Sequence, residues 1–189
     1  MTKKAIRKEF IEKRLQLPAA EIQSFSAKMI RHFEELEFPL LEHLLTYYPL
    51  LERNEFNVEP CMQYLRNIMP GIRIACPKIN DESISMEAYL INEDVYFDKN
   101  KYGILEPISG EIINPELIDM IFVPMVMCDE NGYRVGYGKG YYDRYLARCR
   151  PDIMKVGFSF FDPIPLIEGI DQFDVPLNVC ITPSGKYEF

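Results

Sequence analysis

The apolar run Ile121-Phe122-Val123-Pro124-Met125-Val126-Met127 leads within a few residues into Gly132-Tyr133-Arg134-Val135-Gly136-Tyr137-Gly138-Lys139-Gly140-Tyr141-Tyr142-Asp143-Arg144. No other feature constrains the chain as much. A β-branched and aromatic run followed by Cys128-Asp129-Glu130-Asn131-Gly132 predicts a buried strand over 118–127 that ends in a turn. The block beyond it holds four of the ten glycines, which permit positive φ and let successive N–H groups converge on an anion. Arg134 and Lys139 add fixed positive charge, and Asp143 is a candidate ligand for a divalent cation. No glycine or proline falls between Tyr141 and Arg150, so a helix is predicted over 140–149, its N-terminus favouring negative charge. The spacing fits neither GxxxxGK[ST] nor GxGxxG. It reads either as a site for a polyphosphate or as a glycine-rich turn with a solvated basic face.

The flanking sequence predicts alternating helices and strands. Residues 3–17 form a helix stopped by Pro18, with Lys3, Arg7 and Arg14 sharing one face and Ile6, Phe10 and Leu17 marking another. Residues 19–36 form a second, amphipathic helix. A strand over 44–48 ends at Pro49, and a helix runs from Asn57, a fitting N-cap, to Met69. Further strands are predicted over 72–76, 85–91, 154–160 and near 179–181, with a strand-like piece at 95–97. This order predicts an α/β fold, three-layer α/β/α with a mostly parallel sheet, as one domain over 1–189. Ligands of such sheets sit at strand ends, where the glycine block falls.

Composition narrows the function. A net charge of −8 disfavours nucleic-acid binding, although residues 1–14 carry Lys3, Lys4, Arg7, Lys8, Lys13 and Arg14 against only Glu9 and Glu12. Five scattered cysteines without a CxxC pair argue for a reducing cytoplasm rather than a disulfide framework or zinc site. His32 and His43 are the only histidines, one in a helical pattern and one at a strand start, so nucleophile schemes built on histidine have little support. No apolar stretch of about 18 residues suggests a membrane span, and residues 2–9 lack the apolar segment of a secretory signal.

The glycine block, with Ile121-Phe122-Val123-Pro124 and Asp129 before it, resembles the signature of the 5-formyltetrahydrofolate cyclo-ligase family. Lys3 and Arg7, Glu55-Phe56-Asn57-Val58, Tyr102-Gly103-Ile104-Leu105-Glu106-Pro107 and Phe173-Asp174-Val175-Pro176 resemble further family blocks in the same order, over nearly the whole chain. The resemblance implies a fold like that of sugar-phosphate isomerases and CoA transferases. It also implies ATP- and Mg²⁺-dependent cyclisation of 5-formyltetrahydrofolate to 5,10-methenyltetrahydrofolate in a cytoplasmic monomer, with no nucleic-acid or membrane partner. The substrate would be a reduced folate, in free or polyglutamylated form.

Residue by residue, the resemblance implies that Lys3, Arg7, Arg134, Gly136, Gly138, Lys139, Gly140, Tyr141 and Tyr142 contact ATP, with Arg134, Lys139 and Tyr142 catalytic. It implies that Leu50, Glu55 and Tyr141 meet the folate and that Asp143 and Asp174 hold Mg²⁺. Asp162 and Asp171 are the other carboxylates near enough in sequence to complete a metal site. Val58 and Asn178 stand where the family commonly has threonine and aspartate, which removes one hydroxyl cap and one further carboxylate.

Overall fold

A computed structural model describes residues 1–189. Thr2 caps the first helix, α1 (Lys3–Leu15), with its side chain accepting from the Ala5 N–H, and Pro18 precedes α2 (Ala19–Glu34). There follow β1 (His43–Leu45), α3 (Glu59–Ile68), β2 (Arg73–Asn80), β3 (Ser85–Leu90), β4 (Phe97–Lys99), β5 (Leu105–Pro107) and β6 (Ile112–Ile113). The second half supplies β7 (Met120–Val123), β8 (Met127–Cys128), β9 (Arg134–Val135), α4 (Tyr141–Leu146), β10 (Met154–Phe158), β11 (Val179–Thr182) and β12 (Gly185–Glu188).

Eight strands form one sheet in the order β12-β11-β10-β7-β1-β2-β3-β6. Neighbours from β11 to β2 pair in parallel, and β12, β3 and β6 add antiparallel edges. The period-two alternation of the central strands divides the core. Met120 and Phe122 face α2 and α3 together with Phe33, Leu65 and Phe158, whereas Ile121 and Val123 face Met86, Tyr145, Leu146 and Ile153. The second outer layer is thin, because α4 has only six residues and irregular segments cover the rest. A smaller cluster holds Ile6 and Phe10 of α1 against Val126, Met127 and Val135, fixing α1 beside the glycine block.

Three sequence expectations change in form. The strand predicted over 118–127 breaks at Pro124, which has no N–H for a ladder, into β7 of the main sheet and β8 paired with β9. The helix predicted over 140–149 ends at Leu146 and lacks a side-chain N-cap, Gly140 occupying that place at φ +67°. The strand predicted over 72–76 extends through Pro77 to Asn80, because there β2 pairs only with β3 and a missing N–H costs nothing on its open side. Asn57 caps as expected in effect: its Oδ1 accepts the Glu59 N–H at 3.1 Å, one residue outside the Val58 cap position.

Gly157 in β10 has ordinary strand geometry but no spare room. An added Cβ would lie 2.7 Å from Leu177 Cδ1 and 2.9 Å from Met125 Cε. The ends of Leu177 and Met125 must shift to admit it, so Gly157→Ala should destabilise the protein by about 1 kcal/mol, the low end of overpacking, read as a lower urea midpoint with an unchanged slope. A midpoint equal to that of the parent chain would contradict the packing described for β10.

Candidate functional site

The carboxyl ends of β1, β2 and β7 open into a cleft of about 690 Å³, a size suited to a small organic ligand. The residues nominated for ATP, folate and Mg²⁺ line it, from Lys3 and Arg7 on α1 to Leu50 and Glu55 after β1, the glycine block from Arg134 to Asp143, and Asp174. Asp171 also lines the cleft. Asp162 does not: its carboxylate accepts from Thr182 Oγ1 at 2.7 Å and Ser184 Oγ at 2.9 Å, so it belongs to the β11–β12 turn and drops out as a metal candidate.

Around the glycine block the cations divide into two kinds. Arg134 is buried, with one guanidinium nitrogen 2.8 Å from Asp143 Oδ1 and another donating to the Val175 carbonyl. Burial pulls its pKa down, and Asp143 followed by Asp174 pulls it back. Lys3 is likewise spoken for, donating to Asp174 Oδ2. Arg7 and Lys139 are different. Arg7 donates through Nε to the Gly136 carbonyl at 2.8 Å, which fixes the loop and leaves both terminal nitrogens without a partner. A Cβ on Gly138, at φ +89°, would sit 3.1 Å from that guanidinium, so glycine lets the loop close on Arg7. Lys139 is exposed, pairs with no carboxylate, and has its Nζ 5.9 Å from the Tyr102 ring centre. The Arg134 fork engages Asp143 and the Val175 carbonyl, whereas Arg7, Arg53 and Lys139, which line the same cleft, pair with no carboxylate.

The carboxylates are each half engaged. Asp143 uses Oδ1 for Arg134 and for the Val175 N–H, and Asp174 uses Oδ2 for Lys3 and the Asp171 N–H. Asp143 Oδ2 and Asp174 Oδ1 accept nothing. No three acidic, histidine or cysteine side chains gather into a cage. Two open carboxylate oxygens beside unpaired cations fit Mg²⁺, which takes one or two carboxylates and completes its shell with water and phosphate oxygens.

Glu55 is buried and internally satisfied: Tyr137 donates to Oε1 and the Leu50 N–H to Oε2 at 2.7 Å. Burial raises its pKa, and those two hydrogen bonds and Arg14 oppose the rise. Arg14 is itself buried, donating to the Tyr137 hydroxyl at 2.7 Å, the Arg53 carbonyl at 2.9 Å and the Met125 carbonyl at 3.3 Å. Tyr141 donates to Asp81 Oδ1 at 2.6 Å, as does Tyr102 at 2.9 Å, and Asp81 Oδ2 pairs with Lys101. These three bonds hold the Asp81 carboxyl down at about 2. Tyr142 packs its ring on the core, and burial pushes its pKa well up.

A sequence profile of the 5-formyltetrahydrofolate cyclo-ligase family matches residues 1–183. The chain belongs to that family. Among cyclo-ligase relatives, the enzyme named 5-formyltetrahydrofolate cyclo-ligase from Mycoplasma pneumoniae is 26% identical over 186 residues, covering 96% of this chain and 98% of the relative. The probable 5-formyltetrahydrofolate cyclo-ligase of Schizosaccharomyces pombe is 37% identical over 130 residues, covering 60% of this chain and 63% of the relative. The solved structure of the 5,10-methenyltetrahydrofolate synthetase of Aquifex aeolicus aligns with a TM-score of 0.80 at 31% identity, over 100% of this chain and 93% of its own.

Sequence reasoning did not assign Arg14, Asp81, Tyr102 or Glu106 to the cyclo-ligase cleft or its supports. Arg14 had a usable signal, since it follows the buried pair Ile6 and Phe10 at the next i+4 position. Tyr102 and Glu106 lie in the block Tyr102–Pro107 that resembles the family, but nothing local gave them a partner, and Asp81 had no signal because its partners lie far along the chain.

Proposed function

We propose that this protein catalyses the ATP- and Mg²⁺-dependent cyclisation of 5-formyltetrahydrofolate to 5,10-methenyltetrahydrofolate, releasing ADP and phosphate. One observation supports the reading beyond family membership: Arg7, Arg53 and Lys139, without carboxylate partners, line the same cleft as two half-open carboxylates. A formamide carbon is a poor electrophile because the nitrogen lone pair is delocalised into the carbonyl. Attack of the formyl oxygen on the γ-phosphorus forms a P–O bond and breaks the bridge to ADP. Substrate N10 then attacks the formyl carbon and loses its proton. The C–O bond breaks with release of phosphate, and the N5 lone pair completes the methenyl bridge.

The nucleophiles belong to the substrate, so the protein supplies position and charge. In this reading Arg7 and Lys139 meet the transferring phosphoryl oxygens, and the loop N–H groups after Gly136 and Gly138 add further donors. Lys3 and Arg134 hold Asp174 and Asp143 in place. Those two carboxylates would hold Mg²⁺, which supplies charge neutralisation at the phosphates when bound. Leu50, Glu55 and Tyr141 face the folate, and Tyr142 lines the ground between the two substrates. We also assign the protein to a cytoplasmic monomer acting on free or polyglutamylated folate, a reading in keeping with five unpaired thiols.

Incubation with folinate, ATP and Mg²⁺ should give a methenyl absorbance that grows with time and vanishes when ATP or Mg²⁺ is omitted. Equal absorbance without ATP, or none with all three, would defeat the assignment.

A further inference from the structure

The carboxylate of Glu106 has no part in the reaction described so far. Glu106 lies in β5, is buried, and lines the same cleft as Glu55. Its Oε1 accepts the Ile79 N–H at 3.0 Å. Its Oε2 accepts no hydrogen bond within the protein and is not among the polar atoms sealed from solvent, so it opens to the cleft. No cation stands within 4 Å of it, unlike Asp143, Asp174 and Glu55, which have Arg134, Lys3 and Arg14 respectively. The cleft also carries Ile79, Met86 and Ile104, while Asn100 and the charge of Lys78 act on the carboxylate.

A buried carboxylate with one open oxygen and no counter-ion repels phosphate and selects a neutral ligand carrying N–H donors. Desolvation raises the Glu106 pKa, opposed by the Ile79 N–H, the Asn100 side-chain amide and the charge of Lys78. Two heterocycles enter the cleft in the proposed reaction, and they differ at their edges. Adenine sets its amino donor beside the N1 acceptor, which faces a carboxylate unfavourably. The reduced pteridine carries donors on more than one edge, at the 2-amino group, N3 and N8, more than Glu55 alone can accept.

Resting on the cyclo-ligase reading, we propose that Glu106 is a second folate-binding carboxylate, whose open Oε2 accepts an N–H of the reduced pteridine. Glu55 and Glu106 then hold the ring from two sides, and that fixes N10 relative to the activated formyl carbon.

The test is Glu106→Gln in the full chain. The amide carbonyl still accepts the Ile79 N–H, so the thermal midpoint should stay within a degree or two, while an NH₂ replaces the acceptor in the cleft. The expected result is at least a tenfold rise in the folinate KM and in the folinate Kd measured without nucleotide, with the ATP KM unchanged. A folinate Kd and KM within twofold of the parent would overturn the proposal and leave Glu106 as a support for β2. A parallel rise in the ATP KM with folinate binding unchanged would overturn it in favour of adenine. Failure of the parent chain itself to form product with folinate and ATP would overturn the cyclo-ligase reading and this proposal together.

Discussion

Arg134→Met will lower the stability of the ligand-free protein by about 3 kcal/mol, the low end of the cost of removing one partner from a buried ion pair. The side chain of Arg134 is only 5% exposed, and it binds Asp143 at 2.8 Å and the Val175 carbonyl. Methionine fills much of the volume but strands a carboxylate and a carbonyl that the guanidinium had satisfied. Asp143 retains 26% exposure, so water reaches part of the orphaned charge, and the expected loss stays near the bottom of the range. Urea unfolding checks this through the midpoint at constant slope. A double-mutant cycle isolates the pair: with Asp143→Asn already present, Arg134→Met should cost distinctly less, because no buried anion is left behind. A single variant within about 0.5 kcal/mol of the parent, the range of an ordinary surface change, would show that the pair contributes nothing.

That prediction differs from what the glycine block suggests alone, and the difference marks what local sequence can carry. Gly138 and Gly140 at positive φ, α1 and α2, and the central apolar strands were legible because their causes are local: backbone freedom, capping, and periodicity of 3.6 or 2. The membership of the cleft was legible too, because the motif residues lie at strand ends that a parallel sheet brings together. Partnership was not. Arg134 has its partner Asp143 nine residues on in the same block, yet nothing local says that the two pair, and Val175 lies 41 residues away. Arg14 read as sharing a face with Lys3 and Arg7, although it is buried and its hydrogen-bond partner Tyr137 is 123 residues distant. Asp162 and Asp174 look alike as loop aspartates, and only the β11–β12 turn separates them. The strand-like piece expected at 95–97 lies two residues early of β4, and β5, β6 and β12 escaped notice because two to four residues carry too little pattern to distinguish a ladder from a loop.

The same division of cations assigns the largest loss of activity to Lys139. Its backbone is anchored independently of its side chain: Arg144 donates to the Lys139 carbonyl and, at 2.6 Å, to the Ile84 carbonyl. The side chain itself touches no carboxylate, so Lys139→Ala should leave stability within about 0.5 kcal/mol of the parent, as for an exposed position. A fixed charge aimed at a developing phosphoryl charge is worth much more in the transition state than at rest. Its removal should lower kcat/KM for ATP by about 10²–10³, comparable to deleting one donor from an oxyanion site. If the interaction strengthens only during transfer, kcat falls alongside kcat/KM; if it serves ground-state binding equally, KM alone rises. Lys139→Arg should restore part of the rate, since it keeps the charge but replaces a compact ammonium with a planar fork. Steady-state kinetics with folinate saturating decides the matter. A kcat/KM within threefold of the parent would remove Lys139 from the phosphoryl site and leave Arg7 and Arg53 as the cleft's cations without a carboxylate partner.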